Sequence, residues 1–199
     1  MNKNGRFGII LLVIIVALVM IGGIVFLGQT LFTSGGGEKV AQTSQAKLLT
    51  EPSDNTAIQM TVRGPIVAKE QHYDITLKVT ANSRNLVVYQ GYDRQTEIKR
   101  LDLDNSDSAF RKLLLALNQA GFTHKQAKAQ TKDDGLCANG QLIEYSLSQG
   151  NDVKMNSWIT TCQGMGDFTG DSAQVNKLLL EQIPDANKII SRAKESLQK

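Results

Sequence analysis

Hydrophobic and polar residues divide the chain into three stretches, of which the first is the most distinct. Residues 9–27, IILLVIIVALVMIGGIVFL, are nineteen apolar residues without a charge. A helix of this length reaches across the ~30 Å hydrocarbon core of a bilayer. Lys3 and Arg6 precede the run, and basic flanks favour the cytoplasmic side. The pattern predicts a cytoplasmic N-terminus over residues 1–8, a transmembrane anchor over 9–28 with the lipid bilayer as its partner, and an extracytoplasmic remainder.

Two other N-terminal signals share part of this pattern. A cleaved signal peptide has an apolar region of about 7–15 residues followed by a small-residue cleavage site, whereas this run is longer and GQTLFTSGGG follows it. The short basic leader ending in glycine also resembles that of type IV pilins. That family carries Glu at the fifth position of its mature helix, and the fifth residue after Gly5 or Gly8 is Ile10 or Val13. A retained anchor is the favoured prediction, and a pilin-like subunit is an alternative.

The second stretch, residues 29–55, is predicted to be a flexible stalk. It begins with the uncharged GQTLFTSGGG, in which three glycines in a row disfavour regular structure. It continues with EKVAQTSQAKLL, whose composition is compatible with a short helix, and ends in the turn-forming cluster EPSDN.

From residue 56 onward the hydrophobic residues recur at every second position, which is the period of a β-strand. The alternation is clearest in residues 72–80, where the apolar residues are Tyr73, Ile75, Leu77 and Val79. Further strands are predicted around 58–62, 86–90 and 96–103, with short turns between them. Four successive strands with short connections predict an antiparallel meander.

After residue 104 the hydrophobic period lengthens to that of a helix. The apolar residues Phe110, Leu113, Leu114 and Leu117 share one face, and Gly121 ends the pattern. A hairpin is predicted over 143–147 and 153–162, followed by a helix after Asp171 and a weaker terminal helix near 189–197. The order of elements predicts an α+β domain over residues 56–199, an antiparallel sheet built as a four-strand meander, a helix, a hairpin and a helix.

Composition and charge narrow the function of this domain by excluding one class of partner. Lys3 and Arg6 are two of the 22 basic residues, and the rest nearly balance the 19 acidic residues. A near-neutral domain is not suited to the phosphate backbone of nucleic acid, so no nucleic-acid partner is expected.

The two cysteines, Cys137 and Cys162, lie on the predicted extracytoplasmic side, where disulfides persist. An even pair in this compartment predicts one bridge, and two unrelated buried thiols are the alternative. A zinc site is not expected because only two histidines exist and neither is near a cysteine. No cofactor or metal ligand set is predicted.

WITTC, residues 158–162, resembles the strand-end TLxTC motif of sortases. Sortases are extracytoplasmic transpeptidases that use Cys, His and Arg, and the resemblance would make Cys162 the nucleophile and His124 the base. The chain departs from the family at Ile159, and no arginine follows Cys162 until Arg192. A helix-containing domain also differs from the all-β sortase barrel. A sortase-like thiol enzyme is therefore an alternative hypothesis.

Two clusters imitate ligand sites only superficially, and ordinary structural roles explain both. The acidic run DLDNSD lacks the glycine and glutamate that an EF-hand loop needs, and a strand end followed by a helix cap accounts for its acids. The glycine-rich GMGDFTG has no following GK[ST] and no βαβ unit, so a turn before a helix accounts for its glycines.

Two single residues complete the candidates. His72 falls on the polar side of the predicted strand and is expected to be solvated. Trp158, the only tryptophan, is a possible surface-binding residue if exposed, and packing under the sheet or against a disulfide is the alternative.

Taken as a whole, the anchor, the order Cys137, Trp158, Cys162 and the closing GDFTGD…LLLEQIP resemble small uncharacterised signal-anchored extracytoplasmic domain proteins of candidate-phylum bacteria. The resemblance implies a single-pass membrane protein and brings no active site with it. The leading hypothesis is a non-enzymatic extracytoplasmic domain that binds a partner or serves as an accessory component of the cell envelope.

Overall fold

The structure, a computed structural model, describes residues 45–126, 137–162 and 166–197, which belong to one compact unit, Gln42–Lys199. The predicted cytoplasmic segment 1–8, the anchor 9–28 and the stalk up to residue 44 lie outside the described residues. Among the helices of the described ranges, none is long and apolar enough to cross a membrane.

From residue 56 onward, the described part of the chain contains six strands and three helices that follow one another in a simple order. The strands are β1 (Thr56–Arg63), β2 (Tyr73–Thr80), β3 (Ser83–Gln90), β4 (Thr96–Asp104), β5 (Leu142–Gln149) and β6 (Asp152–Thr160). The helices are α1 (Asp107–Gln119), α2 (Ser172–Leu180) and α3 (Ala186–Ser196). Helix α1 lies between β4 and β5, and α2 and α3 follow β6.

All six strands form one antiparallel sheet in the order β4-β3-β2-β1-β5-β6. The α+β class and the antiparallel sheet are therefore confirmed. The sheet is larger than the four-strand meander β1–β4, because the predicted hairpin β5–β6 joins it at β1. Strand β1 pairs along its whole length with β5, from Thr56 opposite Gln149 to Arg63 opposite Leu142.

One face of the sheet is apolar and packs against the helices. Its central side chains, Ile58, Leu77, Leu86 and Leu147, are fully buried. The helices contribute their predicted apolar faces to the same core, which includes Phe110, Leu113, Leu114 and Leu117 from α1 and Val175 and Leu179 from α2. The opposite face, which we call the polar face, carries residues such as Gln59, Thr76, Lys78 and Glu144. One-sided packing of this kind explains the strict alternation in the sequence.

Side-chain caps mark the starts of α1 and α2. The Ser106 side chain accepts a hydrogen bond from the Ala109 N–H at the start of α1. The Asp171 side chain accepts from the Gln174 N–H at 2.9 Å and begins α2. These caps satisfy backbone donors that have no partner inside the helix.

The predicted boundary between stalk and domain at residue 56 is corrected by the structure. Residues 45–50 are helical, and Leu49 is 1% exposed within the core. The Gln45 side chain also donates to the Lys154 carbonyl at 2.8 Å. The globular fold therefore starts before residue 56, because one leucine of EKVAQTSQAKLL packs into the core that the sheet and helices enclose.

Tyr145 couples the stability of the fold to pH in the alkaline range. Its side chain is fully buried, and its hydroxyl donates to Asn176 Oδ1 at 2.7 Å. Burial raises the pKa of the Tyr145 hydroxyl above its usual value, because the phenolate would lose its hydration. The folded state thus holds this proton more tightly than the unfolded state, whose tyrosine pKa is about 10.

We therefore expect the contribution of Tyr145 to stability to be complete below pH ~10 and to be lost as the pH rises above that value. Urea unfolding of the wild type and of Tyr145→Phe between pH 8 and pH ~11 measures this loss. The wild type should lose stability more steeply above pH ~10, by up to about 1.4 kcal/mol per pH unit. The other tyrosines are present in both proteins, so equal slopes would contradict the assignment.

Candidate functional site

A cleft opens at the end of the sheet where β1 finishes and β2 begins. Its volume is about 560 Å³, and it is bounded by the β1–β2 loop, the β3–β4 turn and the chain around Cys137. Its lining combines charged and apolar side chains: Arg63, Gly64, Ile66, His72, Asp74, Tyr92, Asp93, Arg94, Cys137 and Leu142. The volume lies in the range of about 300–1,000 Å³ that is typical of small-ligand pockets.

His72 lies at the base of this cleft, and the prediction that it is solvated is wrong. The residue is only 3% exposed. The Tyr92 ring stacks on the imidazole with 3.7 Å between ring centroids, and the β1–β2 loop folds over it. His72 Nδ1 lies 2.9 Å from the Pro65 carbonyl oxygen, and Nε2 lies 3.2 Å from Asp74 Oδ1. Both neighbours are acceptors, so whichever ring nitrogen carries a proton has a partner to which it can donate.

Asp74 is the buried centre of the cluster, with its side chain 4% exposed. One carboxylate oxygen faces His72, and the other accepts a hydrogen bond from Arg94 Nε at 2.6 Å. A buried carboxylate is tolerated when cationic and hydrogen-bonding partners replace its water. The cluster therefore fixes the imidazole and the guanidinium relative to each other.

Arg94 reaches this position from a strained turn. Its φ angle is 52°, in the left-handed region that favours glycine, and the side chain is 36% exposed. Asp74 binds only the Nε end of the guanidinium, and the Nη1 and Nη2 atoms of Arg94 form no hydrogen bond within the described residues. The Nη1 and Nη2 groups, which we call the donor fork, are consequently fixed in orientation and available to a ligand in the cleft.

The rim of the cleft is apolar and is tied together by a tyrosine. Ile66, Val67 and Tyr92 are 58%, 37% and 49% exposed, although each is a large hydrophobic residue. The Tyr92 hydroxyl donates to the Val67 carbonyl at 2.6 Å and accepts from the Val67 N–H at 3.0 Å. These bonds join the β1–β2 loop to the β3–β4 turn, so the two walls of the cleft form one unit.

Two further ion pairs border the cleft. Lys69 Nζ lies 2.9 Å from Asp93 Oδ2, and this hydrogen bond lowers the pKa of the Asp93 carboxyl below its usual value. On the polar face, Arg63 pairs with Glu144 at 2.8 Å. The cleft thus contains carboxylates as well as guanidinium groups, which limits how much negative charge it attracts.

The predicted disulfide is present, and it lies beside the cleft. The sulfur atoms of Cys137 and Cys162 are 2.02 Å apart, with 5.5 Å between the Cα atoms. The bridge joins the chain before β5 to the chain after β6. The next residue, Ala138, accepts a backbone hydrogen bond from Ile66 at 2.7 Å, so the bridged segment also supports the β1–β2 loop.

The residues of the sortase-like hypothesis are not brought together. Cys162 is oxidised, and no free cysteine occurs in the described part of the chain. His124 and Arg192 are exposed, and neither forms a hydrogen bond with Cys162 among the described residues. A thiolate at Cys162 would first require reduction of the bridge.

Trp158 lies outside the cleft. It is half-buried on β6, opposite Glu144 in the pairing register, and its backbone N–H donates to Asp167 Oδ1 at 2.7 Å. The tryptophan therefore belongs to the polar face of the sheet, separated from the β1–β2 loop by β5.

The acidic and glycine-rich clusters take structural roles where the structure describes them. Asp107 pairs with Arg111 in the first turn of α1 at 2.7 Å, and Asp102 accepts from the Asn85 side chain. Gly164 is outside the described residues, and Gly170 directly precedes the Asp171 cap of α2. The described ranges contain no group of three or more His, Cys, Asp or Glu residues that could hold a metal ion.

Sequence reasoning missed Asp74, Tyr92 and Arg94 as site residues. One signal was available, since His72 and Asp74 are two residues apart at the start of a strand and therefore point to the same side. No local pattern connects Arg94 to Asp74, which lies 20 residues earlier. A comparison of the chain with protein-family models, curated proteins and solved structures finds no match.

Proposed function

We propose that this chain is a membrane-anchored extracytoplasmic binding domain, an accessory component of the cell envelope that takes its ligand in the cleft beside His72. The anchor rests on the apolar run of residues 9–27 and its basic flank. The disulfide between Cys137 and Cys162 is consistent with an oxidising compartment.

One observation carries the binding function: Asp74, itself buried, holds the guanidinium of Arg94 at an open cleft. Natural proteins seldom bury a carboxylate or place a residue other than glycine in left-handed backbone without compensation. Here a buried carboxylate and a left-handed arginine occur in one cluster, beside exposed apolar residues that do not pack into the core. Such features are concentrated at functional sites.

The position of the cleft in the fold suits a tethered domain. The chain enters the sheet at the Thr56 end of β1, where Ser53 and Asn55 bond to the neighbouring strands and turns. The cleft lies at the Arg63 end, about 25 Å away along a strand of eight residues. A ligand in the cleft would therefore bind at the opposite end of β1 from the point where the chain enters the sheet.

The test uses photo-crosslinking in bacterial cells that express the full chain. A photoreactive amino acid is placed at Ile66, which is 58% exposed at the rim, or at Val153, which is 64% exposed at the other end of the sheet. We expect one discrete adduct from position 66 and none from position 153, and loss of the adduct when Arg94→Ala is added. Equal adducts at both positions, or none at position 66, would argue against a binding cleft.

The same cells test the location. A tag after residue 199 should be digested by protease added outside spheroplasts, while an internal cytoplasmic protein stays intact. Protection of the tag in sealed spheroplasts would contradict the extracytoplasmic assignment.

A further inference from the structure

We propose that Arg94 is the anchor of the cleft for a single carboxylate group on the ligand. The proposal rests on the binding function above and adds to it the chemical class that the cleft recognises. It assigns the recognition to the two Nη groups of one guanidinium and the orientation of that guanidinium to Asp74.

The first argument is the geometry of the donors. Asp74 Oδ2 accepts from Arg94 Nε at 2.6 Å, which occupies one end of the planar guanidinium. The Nη1 and Nη2 groups, which form no hydrogen bond within the described ranges, remain to donate in parallel. Two parallel N–H donors in a plane match the two oxygens of a carboxylate. Because Asp74 is buried and also faces His72, the fork is oriented before the ligand arrives.

The second argument is independent and comes from the backbone. Position 94 has a φ of 52°, and glycine is the residue that adopts this conformation without steric strain. Glycine would therefore suit the β3–β4 turn better, yet it could not reach Asp74 or the cleft. The presence of arginine at this position indicates that its side chain has a use beyond the turn itself.

The surroundings favour a carboxylate over a phosphate. Asp74 and Asp93 both line the cleft, and each is paired with one cation, Arg94 and Lys69 respectively, so these pairs leave no excess of positive charge. A doubly charged phosphate would be repelled more strongly by these two carboxylates than a singly charged carboxylate would be. The exposed side chains of Ile66 and Tyr92 offer an apolar wall to whatever is attached to the carboxylate. The preferred ligand group is thus a carboxylate next to an apolar side chain.

The probes are N-acetyl-leucine, its amide N-acetyl-leucinamide, and inorganic phosphate, each titrated into the full chain in detergent with ¹⁵N-labelled arginine. We expect N-acetyl-leucine to shift the Nε–H signal of Arg94 with saturation, and the uncharged amide to leave it unchanged. Arg94→Lys, which keeps the charge and loses the fork, and Arg94→Gly lack this signal, so their affinity is measured by isothermal titration calorimetry beside the wild type and should be weaker by about tenfold or more.

Arg94→Lys guards against a loss caused by unfolding, because it keeps a cation beside buried Asp74, whereas Arg94→Gly relieves the strained backbone but leaves that carboxylate without its guanidinium. The matched control is Arg111→Lys, an exposed arginine on α1 whose ion pair with Asp107 is unrelated to the cleft. This control should leave the affinity for N-acetyl-leucine unchanged.

The peptide Ala-Ala-Leu with a free C-terminus tests whether the carboxylate belongs to a peptide end or to a small acid. Tighter binding than N-acetyl-leucine indicates a peptide end, and equal binding indicates a small acid.

Equal shifts with the acid and the amide, or tighter binding of phosphate than of N-acetyl-leucine, would overturn the carboxylate proposal. Unchanged affinity in both Arg94 variants would overturn the role of Arg94. An adduct at position 66 that persists in Arg94→Gly would remove the anchor and leave the binding function standing, so the two failures are distinguishable.

Discussion

Replacing Asp74 with alanine is expected to lower the free energy of unfolding by about 3 kcal/mol. Removal of one partner from a buried ionic cluster costs about 3–5 kcal/mol, because the remaining charge stays without water or a counter-ion. The lower end applies here, since the Arg94 side chain is 36% exposed and its guanidinium can regain water. Urea unfolding of the full chain at neutral pH measures the loss.

The matched control for this prediction is Asp102→Ala on the edge strand β4. The Asp102 side chain is 54% exposed and lies 3.7 Å from Arg100, so an exposed pair of this kind should contribute less than about 1 kcal/mol. If the two variants lost equal, small amounts of stability, the cluster around Asp74 would not be the buried ionic network that the structure shows. Asp74→Ala should also release Arg94 and so weaken the photo-crosslink at position 66, whereas Asp102→Ala should not.

Removing the disulfide is expected to have an effect of similar size. The bridge closes a loop with a sequence separation of 25, for which the chain-entropy model gives about 3.5 kcal/mol. The double variant Cys137→Ser, Cys162→Ser should therefore unfold at a clearly lower urea concentration than the wild type. Addition of a reductant should lower the wild-type midpoint to the same value and leave the double variant unchanged.

Thiol labelling of the native protein distinguishes a structural disulfide from a reactive enzyme thiol at Cys162. Neither cysteine should react with a maleimide until a reductant is added. Rapid labelling of Cys162 without reductant would contradict the stable bridge and would revive the thiol-enzyme hypothesis. The reduced protein should also show a looser β1–β2 loop, because Ile66 bonds to Ala138 next to Cys137.

The elements of the fold were accessible from the sequence, and the reason lies in their local physics. Alternation in residues 73–79 and the helical spacing from Phe110 to Leu117 reflect which side of each element meets the core. The Asp171 cap was recognisable because its bond to Gln174 spans three residues. Residues 45–50 were misassigned to the stalk, because burial of Leu49 depends on a core built from residues distant in the chain.

The candidate site was much less accessible, because its contacts depend on how segments meet. His72 lies in a polar stretch, and only the fold of the β1–β2 loop and the ring of Tyr92 enclose it. Trp158 was singled out for its residue type, but the pairing of β6 with β5 places it away from the cleft.

The sequence by itself determined the apolar run of residues 9–27, the order of strands and helices, and the presence of two cysteines that could pair. Each is a property of residue type and of spacing within one element. Only the tertiary structure decided that β5 pairs with β1, that Cys137 meets Cys162, and that Arg94 meets Asp74. These contacts join residues 20 or more positions apart, and their free energy comes from burial and charge pairing that exist only after the sheet has formed.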